Sequence, residues 1–325
     1  MLPSALLRPQ GRLSPAEALE LASQAPEILR KNPKSFSASP LRALFSAPET
    51  AQLWTVYENL LQSCLQVGDD ASARLCLERL VTRFGHEDER VMALQGLTQE
   101  AVASNESELQ KILDGYEACL EKNDANIPIR KRKVALLRSM GRISESVTAL
   151  NTLLDFNPTD AEAWAELADM HVTLGLFPQA IYALEEVLVL MPNAWNIHAR
   201  LGEVSLMAAD ANSEGQQKHL AEAVKRFCRS IELCDDYLRA YYGLKLVTDR
   251  LLNGEPRPKK QQQETEGFDL VEDATLEKLN EAATKKLAEI VHKYRAGEKL
   301  WQGYDAGEIA AAHRLLAKAS ADVVR

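Results

Sequence analysis

Shifted against itself by 34 residues, the chain lines up its special positions, and this period limits the fold more than any other feature. Gly141 falls on Gly175 and Pro158 on Pro192, with Asp124 one period earlier, while Tyr116, Leu150 and Leu184 share another column. A period of this length marks a supersecondary unit that cannot bury its apolar face alone and must stack on its neighbours. Glycine is sparse, Ala, Leu and Glu are abundant, and alternating β-branched runs are missing, so the unit is helical. The fold class is all-α.

The clearest copy, "AEAWAELADMHVTLGLFPQAIYALEEVLVLMP" at 161–192, resembles the tetratricopeptide-repeat (TPR) consensus in residue type and spacing. Trp164, Leu167, Ala168, Gly175, Ala180, Leu184 and Pro192 stand at its fourth, seventh, eighth, fifteenth, twentieth, twenty-fourth and thirty-second positions. Small residues let helix A approach helix B, large ones fill the gap, and glycine and proline interrupt between helices. The ring of Trp164 is expected in the core between the two helices. Residues 54–85 keep Leu60, Leu61, Gly68, Ala73 and Leu77 in the same columns, and residues 88–124 hold a degenerate copy with an insertion around "ASNESE". The copy at 127–158 carries Val134, Leu137, Gly141 and Pro158. From Trp195 another keeps Leu201 and Gly202, takes about nine extra residues in "DANSEGQQKH", and resumes with Ala223, Phe227 and Ser230. Residues 238–252 read as the first helix of a further repeat. The expected architecture is a TPR solenoid, a right-handed superhelix of about five helix pairs with helical caps at both ends.

The organisation expected is an N-terminal helical segment over 1–50, repeats over 51–252, an exposed linker over 253–273 and capping helices over 274–325. Ser14-Pro15-Ala16-Glu17 has capping-box spacing with proline at the first helical position, which starts a helix running to about Ser23. "NGEPRPKKQQQETEGFDLVED" is rich in Gly, Pro, Gln and charge, as linkers are. Beyond it, Leu276, Leu279, Leu287, Ile290 and Tyr294 form one helical stripe, and Ile309, Leu315 and Leu316 belong to a last helix.

With 38 Lys and Arg against 47 Asp and Glu, the net charge of −9 opposes a general phosphate-binding role, so nucleic acid is not an expected partner. The opening "MLPSALLRPQGRLSP" lacks the apolar core of a secretory signal, and no segment reaches the roughly 18 to 20 apolar residues that span a bilayer. A soluble protein with five reduced cysteines is expected. There is no Walker loop, G-x-G-x-x-G, H-E-x-x-H or nucleophile elbow, and the six histidines are scattered. Neither catalytic residues nor a metal or cofactor is expected.

Against this acidic background stands "NIPIRKRKVALLRSMGR", residues 126–142, with four consecutive basic side chains from Arg130 to Lys133. In the repeat register it is a helix A. Arg130 and Lys133 then occupy columns four and seven, usually apolar, while Lys131 and Arg138 take columns five and twelve, which face the concave groove. Packing with solvated charges, contact with a partner, and an import signal or phosphate contact are all open to such a stretch. The corresponding face of the next two repeats offers Asp169 and Glu203, and these four residues are the expected partner-binding set.

"IRKRKVALLRSMGR", "DAEAWAELADMHV", "FPQAIYALEEVLVLMPNAWNIHARLGEV" and "YLRAYYGLKLV" together resemble the TPR-containing second subunits of the endoplasmic reticulum (ER) membrane protein complex, over roughly residues 50–250. That resemblance implies a noncatalytic scaffold, peripheral on the cytosolic face of the ER, which cradles cytosolic tails and loops of membrane subunits in a complex that inserts transmembrane helices. It implies no bilayer insertion by the scaffold itself. The alternative is an adaptor for a chaperone C-terminal peptide; Lys131 suits that clamp, whereas Ala135 and Glu166 do not.

Overall fold

The computed structural model of the chain describes residues 4–7, 13–31, 50–211, 215–254 and 269–323. Its regular structure is helical throughout the described residues, and it divides into two units, Met1–Phe156 and Asn157–Arg325.

In the first unit, α1 (Pro15–Ala22) begins at Ser14, whose Oγ accepts from the Glu17 amide at 3.3 Å while the Ser14 amide donates to Glu17 Oε2 at 2.8 Å. These reciprocal bonds satisfy two otherwise orphaned donors. After α2 (Ala25–Lys31) come three helix pairs. They are α3 (Ala51–Val67) with α4 (Asp70–Phe84), α5 (Glu89–Val102) with α6 (Glu106–Lys122), and α7 (Ile127–Ser139) with α8 (Ile143–Phe156). Asp69, Asp88, Asn105 and Asn126 each accept a first-turn amide in their side chains, so polar caps define where these helices start. The core runs along α3, where Val56, Leu60, Leu61 and Cys64 meet Ala73, Cys76 and Leu80 of α4, all buried.

The second unit pairs α9 (Ala161–Thr173) with α10 (Phe177–Leu190), α11 (Trp195–Ala211) with α12 (Gln216–Leu233), and α13 (Leu238–Asn253) with α14 (Asp273–Arg295). α15 (Ala306–Val323) follows. The first helices of two pairs end alike: Gly141 and Gly175, both at column fifteen, take φ of 73° and 71°, a region that a Cβ disfavours. Phe227 is fully buried between two glycines, and a Cβ built on Gly202 or Gly243 would come within 2.9 or 2.2 Å of its ring. Small residues at these two points let α11 and α13 close on the phenyl group.

α14 completes the pair that α13 begins, burying Leu276, Ala283, Leu287 and Ile290 in the cluster that holds Leu244 and Val247. The stripe read from the sequence is therefore a second repeat helix as well as a cover, and Ile309 and Ala312 of α15 add to the same core. Most of the expected linker, residues 255–268, lies outside the described residues.

Candidate functional site

Four basic side chains in a row need partners or water, and the fold supplies partners. The Arg130 guanidinium lies over the Phe156 ring, 4.0 Å from its centroid, and its Nε donates to the Asp124 carbonyl at 2.5 Å. Arg132 pairs with Glu100, which also accepts the Tyr116 hydroxyl at 2.5 Å, and Lys133 reaches Glu117 at 2.9 Å. Lys131 is half-buried and Arg138 exposed. The cationic run is thus largely absorbed within the first unit.

The Arg130 contact recurs. Trp164 Nε1 donates to the Pro158 carbonyl at 2.9 Å, His198 Nε2 meets the Pro192 carbonyl at 3.1 Å, and the Tyr241 hydroxyl donates to Asp235 Oδ1 at 3.0 Å. Each donor is the fourth residue of its helix, and each acceptor lies six residues earlier, so a polar clasp folds the incoming turn onto the first turn of α7, α9, α11 and α13. A carbonyl can only accept, so His198 carries its proton on Nε2. The core placement expected for Trp164 needs correction: the ring is half-buried, edge-on to exposed Tyr182 at 6.1 Å between centroids, because its N–H must reach the Pro158 carbonyl at the helix end. Ala73, Ala168, Ala180 and Ala223 are buried at helix contacts, whereas the rings of Pro158 and Pro192 are exposed and their carbonyls serve the clasp.

Burial pushes the pKa of His198 down, opposed by the Pro192 carbonyl and aided by Arg226 and Arg229; burial also lowers His171 and His219. Because the unfolded chain takes up these protons first, the histidines contribute stability that is present above about pH 6.5 and lost as pH falls toward their folded values. Melting between about pH 7 and 5.5 is expected to show a falling midpoint, with a shallower fall in His198→Gln, which keeps an N–H donor but does not titrate. An unchanged slope in that variant would exclude His198 as a contributor.

Ion pairs also link the first helix of one pair to the first helix of the next. Glu58 meets Arg90 at 2.5 Å and Glu100 meets Arg132 in the first unit, while Asp169 meets Arg200 at 2.9 Å and Asp210 meets Arg250 in the second. Arg200 also donates to Glu203 at 2.9 Å, so one guanidinium joins the two acidic residues of the expected binding set. Lys131 and Arg138 belong to the first unit, Asp169 and Glu203 to the second.

Residues of α11, α12, α13 and α15 line a groove of about 630 Å³ in the second unit. Leu206, Met207, Phe227, Tyr242 and Leu246 line it, with Glu203, Asp210, Arg239, Arg250 and Glu308 at its rim. The rim charges are matched: Arg239 Nε donates to Glu308 at 2.6 Å, Arg250 meets Asp210, and Arg200 meets Glu203. Met207 and Leu246 remain 38% and 39% exposed, so an apolar floor is open to a ligand while its polar border is already satisfied. Of the groove, the sequence marks Glu203 as a contact and Phe227 as a repeat position. The available signal was the stripe Arg239, Tyr242, Leu246, Arg250 on α13, spaced three and four residues apart.

Antiparallel helix pairs at a 34-residue period, with small residues at the crossings and a groove lined by first helices, define a TPR protein. Residues 91–219 match the model of the EMC2 TPR-like repeat domain. The chain is 35% identical over 201 residues to the TPR repeat protein oca3 of Schizosaccharomyces pombe, covering 62% of this chain and 68% of that protein. It is 30% identical over 192 residues to ER membrane protein complex subunit 2-A of Xenopus laevis, covering 59% of this chain and 61% of the relative. With ER membrane protein complex subunit 2 of Dictyostelium discoideum the identity is 26% over 267 residues, 79% and 76% of the two chains. The chain belongs to the EMC2 family.

Proposed function

We propose that the protein is a noncatalytic scaffold of an ER membrane protein complex, placed on the cytosolic face, where it holds cytosolic parts of membrane subunits and so supports insertion of transmembrane proteins. The groove between α11, α13 and α15 carries this reading: an open apolar floor inside a charge-matched rim suits the apolar side of a helix or tail. Family membership supports it, and among the described residues no helix is long and apolar enough to cross a membrane. Lys131 and Arg138 form a second candidate contact, through charge rather than apolar burial.

The test is co-purification from detergent extract followed by native mass spectrometry. Leu246→Glu places a charge on the groove floor and is expected to reduce recovery of membrane subunits about tenfold or more, a loss of about 1.4 kcal/mol in binding. Lys131→Glu with Arg138→Glu is expected to weaken recovery in a salt-dependent way. Normal assembly of both variants at physiological salt would reject the scaffold surfaces named here.

A further inference from the structure

One wall of the groove is held more lightly than the helices beside it. Over residues 306–318, α15 fully buries Ile309 and Ala312, with Leu315 and Leu316 half-buried against the same core. α14, packed on that core, buries Leu276, Ala283, Leu287, Ile290 and Val291. It is further tied by Asn280 to Lys245 and Asp249, and by Lys286 to Asp235 and Asp236.

The segment that joins α14 to α15 is fixed as far as Trp301. The Glu298 amide donates to the Lys293 carbonyl at 3.2 Å and the Trp301 amide to the Glu298 carbonyl at 2.9 Å. The Trp301 ring lies beneath the ammonium groups of Lys293 and Lys286, 4.4 and 5.4 Å from its centroid. Gly303 follows with φ of 108°, where a residue with a Cβ is disfavoured. Beyond it, Asp305 Oδ1 accepts the amides of Gly307 and Glu308 at 2.8 and 3.0 Å, so α15 carries its own cap. The polar ties of this end to the repeats lie at the surface: the Tyr304 hydroxyl donates to the Asp236 carbonyl at 2.9 Å, and Arg239 to Glu308 at 2.6 Å.

An exposed ion pair holds weakly, and a helix with few buried apolar side chains opens at a lower free energy than the core on which it rests. Glu308 and Ala311 line the groove, while Ile309 and Ala312 of the same helix are buried in the core. α15 therefore cannot leave the core without taking a wall of the groove with it.

We propose that α15 is a hinged strap on the groove, undocking as a unit about Gly303 while α11 to α14 stay folded, and returning to rebuild the wall. Undocked, it uncovers apolar surface next to the floor of Leu206, Met207 and Leu246 and widens the way in. Docked, it adds Ala311 to whatever the groove holds. By linkage, a bound partner that touches α15 favours the docked state as strongly as docking favours the partner. That last step rests on the scaffold reading; the strap itself does not.

Hydrogen exchange read by mass spectrometry, on the full-length protein alone and in the complex co-purified in detergent, tests this. In the free chain, amides at 309–318 are expected to exchange about a hundredfold faster than those at 283–291 of α14. Glu308→Gln is expected to speed α15 about two- to fivefold more and Ile309→Ala about tenfold or more, with α14 unchanged in both. In the complex, exchange of α15 is expected to slow about tenfold. Equal protection of α14 and α15 in the free chain would overturn the proposal, and this comparison needs no variant to fold. So would an Ile309→Ala chain in which α14 speeds up as much as α15. Normal recovery of membrane subunits by Leu246→Glu would instead reject the groove as the partner site, a result on which exchange in the free chain does not depend.

Discussion

Phe227→Ala is expected to lower the stability of the second unit by about 3 to 5 kcal/mol, at the upper end for a core truncation. The cost of such a cavity depends on whether its walls can collapse. Gly202 and Gly243 face the ring without side chains, so neither position offers one to fill the vacated space. The side chains of Asp210 and Arg250 also pair across α11 and α13. The ring forms part of the groove floor, so the same substitution is expected to weaken partner recovery beyond what the stability loss explains. Urea denaturation followed by circular dichroism gives the stability change, and a value under about 1 kcal/mol would mean that the helices close over the gap.

The second large effect is expected where α13 meets α14. Lys245 is only 3% exposed; its ammonium lies 2.5 and 2.7 Å from the two oxygens of Asp249 and 3.2 Å from Asn280 Oδ1. The Asn280 amide donates in turn to Asp249 at 2.7 Å and to Thr248 at 2.8 Å. Asp249→Ala strands a buried cation and is expected to cost about 3 kcal/mol or more. Lys245→Met combined with Asp249→Leu removes both charges and is expected to recover most of that loss. A double variant no better than Asp249→Ala would show that the remaining bonds of Asn280, rather than the charge pair, hold the two helices together.

The repeat was legible because its markers act through the backbone or through size. Gly141 and Gly175 occupy a dihedral region that other residues avoid, and Ala168, Ala180 and Ala223 are small where helices cross. The N-terminal helix was legible because Ser14 and Glu17 satisfy each other across three residues. By contrast, "RKRK" stayed ambiguous because Phe156, Glu100 and Glu117, which absorb its charge, lie between 16 and 32 residues away in sequence. The groove was hidden because its wall requires α15, supplying Glu308 and Ala311, to fold back beside α11 about a hundred residues earlier.

Arginine, tryptophan, histidine and tyrosine share neither charge, volume nor aromatic character as a group, yet at the fourth residue of successive helices all four deliver a polar hydrogen to the same place. Arg130, Trp164 and His198 reach the carbonyl six residues back and Tyr241 the Asp235 side chain at the same offset, so unlike side chains close the same turn. A profile that expects one residue type at this position will therefore undercount the repeats of a chain built this way.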